Sequence, residues 1–297
     1  MTEIVFISLA VLLRVVSNPQ GNVFQKQLTQ QGSHPLWVNF LTYLLLATIC
    51  LIGLIFLDAI ELSKDFWIYS ILGGIFGAVG NGLLVKALQK GDLSILGPIN
   101  SYKSVIGLVF GIFLLGEIPN LWGIVGIFII IYGSYLVLDT TEERFTLALL
   151  RNKEIQFRIG AMILTAVEAV FVKKVILASS PTIAFTSWSI FGAIFSFLLV
   201  LAFRINLRHE LKHLTVNAVS KLLLLIVCIG MMQLSTNYVF KNMDVGYALS
   251  LFQLSIVVAV LLGYRIFQES NICKKLIGST IMIIGSVLII LFHGYTK

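Results

Sequence analysis

Apolar residues run through most of this chain in long stretches, and polar positions interrupt them at intervals of membrane-helix length. Leu36–Leu57, Phe66–Val85, Ile118–Leu138 and Val245–Tyr264 contain no Asp, Glu, Lys, Arg or His. Segments of about 20 apolar residues are long enough to cross a bilayer as helices. Breaks at polar, Pro and Gly positions divide the chain into ten such spans, near 4–30, 35–57, 66–88, 93–116, 119–138, 157–178, 182–203, 219–241, 245–267 and 272–292. The pattern predicts an all-α polytopic membrane protein. The first span is apolar from Ile4 to Leu13 without a basic leader or A-x-A site, so it reads as a retained helix. Proline removes a helical hydrogen bond, so Asn18-Pro19-Gln20-Gly21 is expected to kink that span.

The polar punctuation repeats. Asp92, Gly111, Glu117, Gly126, Gly133 and Ser134 recur in order as Asp244, Gly263, Glu269, Gly278, Gly285 and Ser286, without gaps. Val23-Phe24-Gln25-Lys26 before Pro35 likewise matches Val170-Phe171-Val172-Lys173 before Pro181. The longest charged connection, Asp139–Lys153, lies between spans five and six. The predicted division is a five-helix repeat over 1–138, a connecting loop over 139–156 and a second repeat over 157–297. Five is odd, so the second copy enters the membrane from the opposite side, giving two inverted repeats.

Composition narrows the classes further. The chain is 58% hydrophobic and 12% charged, roughly half the charge of an average soluble protein. Its net charge of +7 arises from Lys and Arg placed mostly in short loops, where they orient the chain against lipid. A nucleic-acid partner is therefore not expected. The odd-numbered loops carry more of these cations, which by the positive-inside rule would place both termini outside. Cys50, Cys228 and Cys273 are scattered and form no CxxC pair, so neither a disulfide framework nor a zinc site is indicated.

Gly116-Glu117 followed by Ile118-Pro119-Asn120 and a Gly126/Gly133 helix, repeated around Glu269, resembles the EamA type of the drug/metabolite transporter superfamily. The resemblance covers almost the whole chain, and its short glycine-rich motifs are specific for fold and weak for substrate. It implies ten helices in a five-plus-five duplication and an activity moving amino acids, nucleotide sugars, purines, drugs or other small metabolites, often by proton exchange. It also implies cytoplasmic termini, the reverse of the loop-charge orientation, and residence in a bacterial cytoplasmic (inner) membrane.

Charges inside the hydrocarbon region are costly and usually face a cavity or one another. Arg14, Lys103 and Glu168 are the three placed deepest, in spans one, four and six. They suit an anionic or zwitterionic solute, with a carboxylate on the cations and an amine on Glu168. The plainer alternative is an ion pair between Glu168 and Arg14 or Lys103 that only holds the bundle. Polar residues recur at helical spacing: Arg14, Asn18 and Asn22; Asn100, Lys103 and Gly107, with Tyr102 beside them; Gln233, Asn237 and Lys241. Asn81, Ser250 and Gln253 add further polar positions. Any single amide serves equally well as interhelical glue, but the recurrence favours a water-accessible cavity. The candidate substrate-binding set is thus Arg14, Asn18, Asn81, Asn100, Tyr102, Lys103, Glu168, Gln233, Asn237 and Gln253.

Glu117 and Glu269 precede spans five and ten, and Asp92 and Asp244 precede spans four and nine. Carboxylates at helix N-termini act first as caps, with gating or proton coupling as the second reading. Pro98 is expected to kink span four, and the glycines of span three to permit close packing. His209 and His213, four residues apart, read as a solvated face and not a metal site.

These features point to a secondary active transporter working by alternating access, with a small polar cargo, no cofactor and no enzymatic activity. Protons are a candidate coupling ion, and both a monomer and a homodimer fit. A lipid or lipid-linked-sugar flippase of the same fold is the alternative. A membrane enzyme is disfavoured because no HExxH motif or paired mid-membrane carboxylates occur, and a passive channel is a weaker option.

Overall fold

The structure, a computed structural model, describes residues 2–54, 61–91, 100–138, 151–212, 215–268 and 272–292. All regular structure in these residues is helical. The helices are α1 (Thr2–Gln30), α2 (Pro35–Leu54), α3 (Lys64–Lys90), α4 (Lys103–Leu115), α5 (Leu121–Leu138), α6 (Lys153–Ala178), α7 (Pro181–Ala202), α8 (Val216–Asn242), α9 (Val245–Phe252), α10 (Ser255–Phe267) and α11 (Ile272–Phe292). A short helix at Leu207–Lys212 follows α7, and its Glu210 carboxylate accepts the His34 backbone N–H at 2.9 Å. Six of the described spans have the length and apolar content to cross a bilayer.

Helix starts are set by local polar residues. Ser63, Ser180 and Thr215 accept the N–H groups of Phe66, Ile183 and Ala218, and Asn120 accepts that of Gly123 at 2.7 Å. Each bond satisfies one of the donors a helix leaves unpaired at its N-terminus. Pro181 occupies the first turn of α7, where its missing N–H costs nothing. The outward faces are apolar, as lipid requires: on α1, Ile4, Phe6, Leu9, Leu12 and Val16 are exposed, whereas Val11, Val15 and Ser17 are buried.

Packing follows the repeat. The major partner of α3 is α6, and its repeat-related counterpart is α8 against α1. Helices α5 and α11 pack on each other directly, and their glycines meet reciprocally. A Cβ on Gly126 would lie 2.8 Å from the Gly285 carbonyl oxygen, one on Gly285 2.7 Å from that of Gly126, and one on Gly133 2.6 Å from that of Gly278. Gly126 corresponds to Gly278 and Gly133 to Gly285, so the early glycine of each helix meets the late glycine of the other. That is an antiparallel crossing, consistent with two inverted five-helix halves. The backbone repeats too: Gly116 (φ 70°) and its counterpart Gln268 (φ 56°) both adopt the left-handed conformation that ends α4 and α10.

One expectation requires correction. Span nine, expected as one helix over 245–267, divides into α9 and α10 at Gln253 and Leu254. There the N–H groups of Gln253, Leu254, Ile256 and Val257 each bond to the carbonyl three residues back. The Leu249 carbonyl, bypassed by that tightening, accepts the Gln253 side-chain amide at 2.9 Å. The glutamine thus keeps a broken helix satisfied in a bilayer. The corresponding site in the first half is a tight turn, Asn100–Tyr102, preceding α4. Helix α1 contains Pro19 and runs to Gln30. Asp92, Pro98, His213 and Glu269 lie outside the described residues.

Candidate functional site

The inner faces of α1, α3, α4, α6, α7, α8 and α9 enclose a cavity of about 80 Å³. Arg14, Asn18 and Asn22 reach it from α1, which realises the i, i+4, i+8 stripe. Asn81, Asn100, Lys103, Glu168 and Gln233 line it from five other segments. Arg14, Lys103 and Glu168 therefore share one space.

The Arg14 guanidinium is fixed from two sides. Its Nε donates to Thr236 Oγ1 at 2.9 Å, and its plane centre lies 4.9 Å from the Phe252 ring centroid. Its Nη1 is buried without a protein partner. Glu168 accepts the Trp188 indole N–H at 2.7 Å. Trp188 packs on Tyr43, with ring centroids 4.7 Å apart, and the Tyr43 hydroxyl accepts from Asn81 at 2.7 Å. Gly77 of α3 faces the Glu168 carboxylate so closely that any side chain there would overlap it. Lys103 is the first residue of α4, where the positive end of the helix adds to its charge. It lies within electrostatic reach of Glu168, Arg14 and Arg158. Among the described residues neither Arg14 nor Lys103 forms a direct ion pair with Glu168.

Three candidates from the sequence do not line the cavity. Tyr102 is 38% exposed on the outer surface. Asn237 is fully buried, accepting from Gln233 at 3.0 Å and donating to the Pro181 carbonyl at 3.0 Å, so it ties α8 to α7. Gln253 serves the helix break, with Asn100 approaching it at 3.5 Å. Arg158, Thr165, Thr236 and Trp188 line the cavity and were missed. Arg158, Thr165 and Glu168 fall on one face of α6, so helical phase from Glu168 could have found the arginine. Trp188 carries no charge and left no such signal.

The carboxylates also differ from expectation. Asp244 occupies the position before α9, but its side chain makes no capping bond. Glu117 caps α9 instead, accepting the Val245 N–H at 2.8 Å across the repeat boundary, and Asn120 caps the helix that follows Glu117. Glu117 also lies 3.7 Å from Lys173 Nζ, which donates to the Met243 carbonyl at 3.0 Å. Burial pushes the Glu117 carboxyl above its ordinary range, opposed by the Val245 N–H and by Lys173. At the repeat-related position, Lys26 Nζ donates to the Gly91 carbonyl at 3.0 Å and lies 4.5 Å from the Phe267 ring centroid. By helix connectivity these two clusters stand at opposite faces of the bundle.

A second pocket of about 30 Å³ shares Asn18, Asn22, Asn81 and Trp188 with the first and extends to Gln25, Asn39 and Thr42 near the α1–α2 turn. It lies between α1, α2, α3, α7 and α8. Helix α8 packs only lightly on α2, although the repeat-related pair, α3 and α7, is closely packed. His209 is exposed, and among the described residues no cluster of His, Cys, Asp or Glu could hold a metal ion.

The profile of the EamA-like transporter family matches residues 5–139 and again 152–291. The chain belongs to the EamA-like transporter family. This EamA protein is accordingly an integral, multi-pass membrane transporter and not an enzyme. No curated protein matches its sequence. A solved structure, titled only as the crystal structure of a protein, is similar to it with a TM-score of 0.73, over 98% of this chain and 99% of that one. The two are 15% identical, so that likeness shows the fold alone.

Proposed function

We propose that this EamA protein is a secondary active transporter that carries a small polar metabolite by alternating access. The observation that supports the reading most is the convergence of Arg14, Lys103 and Glu168, from three spans, on one cavity where the two repeats meet. Binding at such an interface lets the two inverted halves exchange roles around a fixed site. A cavity of about 80 Å³ holds roughly two or three waters at about 30 Å³ each, which suits a small solute and not a lipid-linked sugar.

The Lys173–Glu117 cluster closes one face by joining α6, the α4–α5 turn and the start of α9. The Lys26 cluster is its counterpart at the other face, towards which the second pocket extends. Alternate release of the two would expose the cargo to each side. Glu168, a buried carboxylate without a direct ion pair, is the group to carry a coupling proton.

The test is uptake into proteoliposomes, over a metabolite panel, by the wild type and by Lys103→Ala and Glu168→Gln. Both variants should elute as folded protein and lose most transport. Normal uptake by both would remove the cavity from the mechanism. Uptake that persists after the proton gradient is collapsed would remove proton coupling alone.

A further inference from the structure

The transport reading leaves open whether the cargo is a cation, a zwitterion or an anion. We propose that it is a small organic carboxylate of net negative charge, held by its carboxylate between Arg14 and Lys103. This rests on the transport reading only in taking the cavity to be the cargo site; the charge preference follows from the walls.

Arg14 carries the argument. Its Nε is committed to Thr236 and its face to Phe252, so the guanidinium is already oriented. Nη1 is buried, has no protein partner and belongs to a residue lining the cavity. An unmet donor on a buried cation is expensive. A planar carboxylate meets it with the geometry a guanidinium favours. Lys103 lies within electrostatic reach across the same space and stands at a helix N-terminus, which adds positive potential.

The single described carboxylate in the wall is already occupied. Glu168 accepts from the Trp188 indole and is pressed against Gly77, so it is less available to a substrate ammonium than the arginine is to a carboxylate. Among the described residues of the wall, Arg14 and Lys103 together outnumber that one carboxylate. A zwitterion would meet this positive excess with no net charge, and a polyamine would be repelled. A compact dicarboxylate or acidic amino acid brings compensating charge.

Thermal unfolding of the purified full-length protein with succinate, glutamate, alanine, inorganic phosphate and putrescine decides the matter. Succinate or glutamate should raise the melting temperature saturably, alanine less, and putrescine not at all. Arg14→Gln should weaken that stabilisation by roughly tenfold or more, and Arg14→Lys should restore only part of it, because an ammonium lacks the planar fork. Lys103→Gln should act in the same direction, so the test survives if an Arg14 variant fails to fold. Stabilisation by putrescine, or by alanine as strongly as by glutamate, would overturn the proposal. So would phosphate outperforming both dicarboxylates.

Counterflow in proteoliposomes separates the two readings. Movement of an amine but not of carboxylates would sink the charge preference and leave transport intact. Carboxylate stabilisation that depends on Arg14, without movement of any solute, would sink the transport reading and leave the anion site standing.

Discussion

Glu168 sits where it does because position 77 has no side chain. The carboxylate occupies the space a Cβ would fill, and Tyr43 closes the same gap from α2. At Gly73, one turn earlier, an added Cβ would meet only Phe171 at 3.6 Å, an ordinary contact. Gly77→Ala is therefore expected to cost about 1–3 kcal/mol through overpacking and to reduce uptake by displacing the carboxylate. Gly73→Ala should be near neutral in both thermal unfolding and transport. Equal behaviour of the two would contradict the packing account. Arg14, Lys103 and Glu168 were legible in the sequence because charge inside hydrocarbon is expensive and usually faces a cavity, as it does here. Thr236 and Trp188 were not, because an uncharged side chain looks the same whether it faces a cavity or a neighbouring helix.

At the scale of elements, Glu117 works across the repeat boundary and not on its own helix. Glu117 leaves the helix after it to Asn120 and holds the start of α9 together with Lys173. If this cluster closes one face, Glu117→Gln, Lys173→Met and the double variant should show non-additive stability, with a coupling of about 0.5–3 kcal/mol. Each single variant should also speed thiol labelling of Asn18→Cys from that face, in a cysteine-free background. Additive effects with unchanged labelling would leave the cluster a static joint. The sequence placed Glu117 beside a helix start but not on the helix it caps, because capping partners are chosen in space. The break between α9 and α10 was hidden for a similar reason: neither Gln253 nor Leu254 is a helix breaker, and the turn is sustained by bonds visible only in three dimensions.

The whole molecule is organised by the reciprocal glycine contacts between α5 and α11, which place the two halves antiparallel. Equivalent loops of the two repeats must then emerge on opposite sides of the membrane. Gln31→Cys and Ser179→Cys, in repeat-related turns, should label with an impermeant thiol reagent from opposite faces of oriented vesicles. Labelling of both from one face would refute the inversion. The unequal packing of α3 on α7 and of α8 on α2 is a departure from this symmetry, and the second pocket lies beside the looser pair.

The sequence by itself determined the membrane class, the ten spans, the duplication and the three deep charges. Each of these is written in hydrophobicity, period or cost of burial, all of which act locally along the chain. Only the tertiary structure decided that the three charges share a cavity, that Arg158, Thr236 and Trp188 join them, and that Tyr102 and Asn237 do not. It also decided which helix Glu117 caps and where span nine breaks. These depend on distances between segments far apart in sequence, and helical phase gives the face a residue lies on but not the partner that face will meet.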